Sequence, residues 1–131
     1  MIELNILELL AATIIGMILG MLWYSPMLFG NAWMESIGKT PETLGDSKIP
    51  IIGSIFASFL TALGVSLLFS LINVSDLNTA SCVGMILAVL IIFPAMLSDS
   101  LFCGWGNKLL LIQSGYRATS VFLMSLAMYY V

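Results

Sequence analysis

Four stretches of about twenty mostly apolar residues recur along this chain of 131, at about 4–24, 49–72, 79–98 and 108–130. A hydrocarbon core about 30 Å thick needs roughly 20 such residues per helix, so each stretch is long enough to cross a bilayer. The chain as a whole agrees, with 60% hydrophobic residues, only 8% charged and a mean hydropathy of +1.10. No water-soluble domain carries so few charges on its surface. The expected fold class is therefore all-α: one integral membrane domain, a four-helix bundle embedded in the lipid bilayer. The second stretch is uncharged, and Pro50 suits its first turn, where a missing N–H costs nothing. Pro94 falls late in the third.

The first stretch is expected to stay in the mature protein. It is preceded by Glu3 and contains Glu8 rather than following Lys or Arg, and it is too long for a signal-peptide core. Lys39 and Lys48 lie in the loop between the first and second stretches and Lys108 opens the fourth, while the first residues, the loop at Asp76 and the last residues carry no base. By the positive-inside rule both termini lie outside and the Lys-bearing loops face the cytoplasm, with Cys103 inside and Cys82 near the outer face. About 30 Å of helix would separate those two cysteines, too far for a disulfide. This also excludes quinone-linked thiol oxidoreductases, which need a C-x-x-C pair.

Seven acids, four bases and no histidine remove histidine metal sites, bis-His haem and Ser-His or Cys-His nucleophiles. Four scattered bases cannot neutralise a run of phosphates, so nucleic acid is not an expected partner. No cofactor and no enzymatic activity are expected. An intramembrane aspartyl protease is disfavoured because Asp76 and Asp99 would lie at opposite faces. A dual-topology exchanger is disfavoured by the one-sided bases.

Between the first two stretches the segment 25–48 is expected to lie along the interface. Asn31 would cap a short helix through Ala32–Ile37 ended by Gly38, with Trp33, Met34 and Ile37 on one face against the membrane. Thr40 and Pro41 would start a second short turn through Leu44. Before it comes a corner: Pro26 disfavours helical geometry at Ser25, and Gly30 lets the chain turn back. Trp23 and Trp33 would anchor its arms at headgroup level, with Tyr24 and Phe29 beside them. The corner is architectural or binds a ligand.

The tract Gly20-Met21-Leu22-Trp23-Tyr24-Ser25-Pro26-Met27-Leu28-Phe29-Gly30-Asn31-Ala32-Trp33, or G-x-x-W-Y-S-P-x-x-F-G-x-x-W, resembles the signature of a family of small bacterial membrane proteins catalogued as domain of unknown function 1761. Gly38-Lys39-Thr40-Pro41-Glu42 and Gln113-Ser114-Gly115-Tyr116 extend the resemblance, while Phe102-Cys103-Gly104-Trp105 departs from it by lacking an acid. The resemblance implies a multi-pass protein of the bacterial inner (plasma) membrane and carries no activity.

Small residues join helices where burial of apolar area gains little over lipid. Gly16 and Gly20 form a G-x-x-x-G, and Ser54, Ser58, Ala62, Ser66 and Ser70 run in steps of four beside Gly53, Ala57 and Thr61. Such rows pack within a bundle, join copies of the chain, or line a polar pore. The polar site candidates are Arg117, Asp99, Gln113, Tyr116 and Glu8. A base at the bilayer centre costs roughly 2.5–3.5 kcal/mol on insertion scales. Arg117 lies about 13 Å along the helix from Lys108. It either snorkels to the interface or pairs with Asp99, while Glu8 is an interfacial acid or a transport carboxylate. These readings leave two functions: a small transporter or channel subunit acting as an oligomer on an unknown small molecule or ion, or an accessory subunit packed on a larger membrane complex.

Overall fold

The computed structural model describes residues 2–131, and these form five helices without strands. Helix α1 covers Ile6–Trp23, α2 Gly30–Ile37, α3 Lys48–Ile72, α4 Leu77–Cys103 and α5 Gly106–Tyr130. Local chemistry sets most ends. The Asn5 side chain accepts from the Leu7 N–H to start α1, whereas Gly38 and Gly104 close α2 and α4 in the left-handed conformation, which glycine adopts without a Cβ clash.

Asp76 caps α4 twice over. Its carboxylate accepts from the Thr79 N–H at 2.9 Å and bonds the Thr79 hydroxyl at 2.7 Å. The Thr79 hydroxyl bond first, then the backbone bonds, hold the carboxyl below its ordinary value of 3.8. A depressed folded-state value means that the stabilisation is present above pH 3.8 and lost as pH falls through the lower, folded-state value. Asp76→Ala is thus expected to lower the thermal midpoint in detergent at neutral pH, with the gap from the native chain closing on acidification. A gap independent of pH would assign the effect to something other than the charged cap.

Helix α4 is continuous but contains a π-helical turn, Leu87–Ile92, where the Phe93 N–H reaches back to the Ala88 carbonyl. Pro94 follows directly. Its ring would collide with the carbonyl four residues back in a regular helix, and the widened turn gives it room.

The burial pattern inverts that of a water-soluble protein. Large side chains such as Ile14, Ile18, Ile52, Phe56, Ile86 and Leu90 are exposed, while the interior holds Ala12, Ala62, Ala80 and Ala88 and six serines, at 58, 66, 100, 114, 120 and 125. Small residues let the helices approach closely around a core that also holds Leu9, Val65, Val121, Met124 and Met128. Gly84 of α4 shows how close: a Cβ there would lie 3.0 Å from the Phe122 ring and 3.1 Å from Ser125.

Three helices, α1, α3 and α4, are long and apolar enough to cross a membrane. The fourth expected crossing, 108–130, falls on α5, which is as long as α3 but markedly more polar and is not one of those three. The reason lies in packing. Helix α5 touches every other helix, and its polar Ser114, Tyr116, Ser120 and Ser125 are buried against them. A helix walled in by others needs no continuous apolar surface. Nor is the arrangement a square bundle: α3 packs on α1 and α5, α4 packs on α5, and α3 and α4 make no substantial contact despite their short connection.

The segment between α1 and α3 differs from expectation in one detail. Asn31 lies inside α2 rather than capping it; Phe29 occupies the cap without a side-chain bond, because the backbone of the preceding corner already binds the Gly30 N–H. Thr40 to Leu44 forms the expected short turn, closed by a hydrogen bond from the Thr43 N–H to the Thr40 carbonyl. Helix α2 packs on α5, with Glu35 and Lys108 3.5 Å apart. That ion pair is the only one among the described residues and is well exposed, so it contributes little.

Candidate functional site

The corner at 23–33 is held by its own backbone. Phe29 N–H donates to the Trp23 carbonyl at 2.9 Å, Leu28 and Gly30 N–H both donate to the Ser25 carbonyl, and the Ser25 hydroxyl donates to the Leu22 carbonyl at 2.7 Å. Pro26, which has no N–H to satisfy, fits the break after α1.

Each aromatic of the corner then reaches outward. The Trp23 indole N–H donates 2.9 Å to the Ile112 carbonyl of α5, and its ring lies where a Cβ on Gly115 would stand, at 2.9 Å. Phe29 packs on Trp23 with ring centroids 4.8 Å apart. Tyr24 lies between Trp33 at 5.3 Å and Tyr116 at 5.4 Å, edge-on to both. Such tilted and edge-to-face pairs match the ring quadrupoles. Trp33 therefore faces Tyr24 and a cleft, where the sequence reading had turned it to the membrane.

Tyr116 extends the clamp to mid-helix. Its hydroxyl donates to the Gly16 carbonyl at 3.1 Å, and its ring occupies the space over Gly20, where a Cβ would come within 3.0 Å of the hydroxyl oxygen. The G-x-x-x-G of α1 is thus a seat for Tyr116, Ser120 and Met124 of α5. Beside Gly16, Ser58 of α3 completes the contact, its hydroxyl 3.6 Å from the Met17 sulfur.

Two clefts open at the ends of this α1–α3–α5 interface. The first, about 720 Å³, lies under the corner and is lined by Gly20, Met21, Tyr24, Trp33, Gln113, Tyr116 and Arg117, with Pro50, Ile51 and Ser54 of α3 and the loop residues Lys39 and Leu44–Ser47. The second, about 1030 Å³, lies at the other end among Glu3, Asn5, Glu8, Ser66, Ser70 and Asn73, where the Glu3 N–H donates to the Ser70 hydroxyl.

Of the five polar candidates, Gln113, Tyr116 and Arg117 share the first cleft, Glu8 lines the second, and Asp99 lines neither. The expected Arg117–Asp99 ion pair does not form. Arg117 opens to the cleft between α1 and α3, whereas Asp99 is exposed on α4, which packs along another part of α5. Equal depth in a bilayer was the ground for pairing them, and depth does not fix which side of a helix a residue occupies. Arg117 instead lies with its guanidinium carbon 5.3 Å from the Tyr116 ring centroid.

The sequence reading missed the loop's share of the first cleft and the acidic, asparagine-rich second cleft. The G-x-x-x-G spacing of Gly16 and Gly20 marked a close-packing face on α1, and packing placed Tyr116 on it. Among the described residues no cluster of acids or cysteines could hold a metal ion, and both cysteines are free and exposed.

Fold and site together define an all-helical protein whose apolar helices suit a membrane, with an aromatic corner locking the first helix onto the last. The chain belongs to the family described as protein of unknown function (DUF1761), whose model matches residues 7–129. No curated protein and no solved structure matches the chain.

Proposed function

We propose that the protein is a four-span protein of the bacterial inner membrane that acts as a small transporter, with both termini outside and α5 as its fourth span. One observation carries this reading: the two clefts lie at opposite ends of the same three-helix interface, and the serine row of α3 runs from one to the other. Ser54 lines the first cleft and Ser66 and Ser70 the second, with Ser58 and Ala62 buried between them. About 18 Å of helix separates Ser54 from Ser66.

The middle is shut, by Gly16 against Met124 and by Ser58 against Met17. A closed centre with a cleft on each side suits alternating access better than an open channel, and polar side chains that face a shared interface in a membrane mark such routes. The positive-inside rule makes the first cleft cytoplasmic and the second external. An oligomer is proposed through the outward face of α3, where Gly53 and Gly64 meet nothing within 4 Å and could admit a second backbone closely.

Single cysteines at 54, 58 and 70, in a chain with Cys82 and Cys103 replaced by serine, test the route with a membrane-impermeant thiol reagent. Ser54→Cys should label only from the cytoplasmic side, Ser70→Cys only from outside, and Ser58→Cys far more slowly than either. If neither 54 nor 70 labels, the row is dry and the accessory-subunit reading replaces transport; if both label from one side, the topology is wrong.

A further inference from the structure

We infer that the cleft under the corner binds a small amphipathic organic anion, whose carboxylate or phosphate is held by Arg117 and whose apolar body lies among Met21, Tyr24 and Trp33. This names a ligand class for one cleft of the proposed route and rests on that reading for the cleft's place in it. Binding itself can be measured apart from transport.

Arg117 brings a guanidinium into the cleft, and a base within a membrane-spanning helix faces a partner or a watery cavity. No carboxylate of the described residues lies within ion-pair distance of it. Glu3 and Glu8 line the other cleft, and Asp99 lies outside both. The one acid in this cleft, Asp46, is engaged elsewhere: its Oδ1 accepts from the Lys48 N–H at 3.1 Å at the start of α3. Lys39 lines the same cleft, so two bases face one acid that already serves a helix end.

The Tyr116 hydroxyl is fixed to the Gly16 carbonyl, its ring is packed by Tyr24, and the Arg117 guanidinium lies near that ring. A guanidinium supported on an aromatic face keeps its planar fork free for an oxyanion, which it can hold through two parallel hydrogen bonds. Gln113 beside it adds an amide that can donate to the same group.

A volume near 720 Å³ falls within the range of small-molecule sites, as does a wall of mostly apolar and aromatic side chains around a few polar ones. Helices α1, α2, α3 and α5 line the cleft together with the loop residues Lys39 and Leu44–Ser47, and the polar, charged side chains of that loop suit a soluble acid better than a lipid.

The probe is 2-naphthoate, titrated calorimetrically into the native chain in phosphatidylcholine nanodiscs, with uncharged 2-naphthamide alongside. Naphthoate should bind and naphthamide should bind about tenfold more weakly or less, as expected for loss of a charge-assisted hydrogen bond. Arg117→Gln should weaken naphthoate about tenfold or more on the same grounds, while Glu3→Gln at the other cleft leaves it unchanged. If Arg117→Gln loses its fold, the acid against amide comparison on the native chain decides alone. Equal affinity for acid and amide, or for native and Arg117→Gln, overturns the inference. So does retention of phosphatidylglycerol at Arg117 with no naphthoate binding, which would make the ligand a lipid. Naphthoate binding in a chain whose serine row is dry would sink transport and leave the site standing; a hydrated row without naphthoate binding would do the reverse.

Discussion

Gly30→Ala is expected to destabilise the protein by about 3 kcal/mol, at the upper end of overpacking costs. A Cβ at this position would run into the Tyr24 carbonyl oxygen and lie 2.8 Å from both carbonyl atoms of Ser25. Those atoms are backbone, and the Ser25 carbonyl is the acceptor that closes the corner, so nothing can swing aside. The corner would have to open, carrying Trp23 away from Ile112 and Tyr24 away from Tyr116. Gly38→Ala is the control. That position has φ 70 but open space around it, and should cost only about 1 kcal/mol for the left-handed backbone. Thermal unfolding in detergent, followed by tryptophan fluorescence, checks both. Equal midpoints for the two variants would show that the corner tolerates rearrangement and does not lock α1 onto α5.

Ala62→Leu is the second large effect, with an expected cost of about 3 kcal/mol or loss of the packed state. Ala62 is fully buried in the cluster that includes Leu9, Ala12, Met124 and Met128, in the stretch of α3 between the two clefts. Three added carbons there would push α3 off α1 and α5, because close backbone approach is what holds these helices together. Leu60→Ala, at a position half exposed on the outside of α3, should leave the midpoint nearly unchanged. A native midpoint for Ala62→Leu would mean that α3 is not held at this row, and the closed centre between the clefts would lose its support.

The all-helical architecture and the helix positions were legible in the sequence because the solvent decides them. Runs such as Ile49–Ile72 and Thr79–Leu97 have no stable alternative to an apolar helix, and Gly38, Asp76 and Gly104 mark ends by strictly local chemistry. The signature at 20–33 was legible as a corner, since the limits that Pro26 and Gly30 place on the backbone depend on no distant partner. The fine structure of the following segment was not. Asn31 is a good cap residue in isolation, but the corner's own carbonyls had already taken the role.

Residues Gln113, Tyr116 and Arg117 were recognised as a polar group on one helix, which the sequence alone could establish through their spacing. Their surroundings could not be read from spacing, because helical periodicity gives the angle between residues on one element and says nothing about which neighbour faces which angle. Packing made that choice: Gly16 and Gly20 admit Tyr116, Tyr116 draws α1 against α5, and Arg117 is thereby turned to the cleft beside α3 and away from Asp99. Packing likewise explains why the least apolar of the long helices lies innermost. The amino-acid sequence determined that this chain forms long apolar helices with a fixed corner after the first, because backbone sterics and hydropathy act locally. The tertiary structure alone decided that two clefts end one serine-lined interface, and that an arginine without a carboxylate partner opens into one of them, because those facts depend on residues far apart in the chain, such as Gly16 with Tyr116 and Glu3 with Val131.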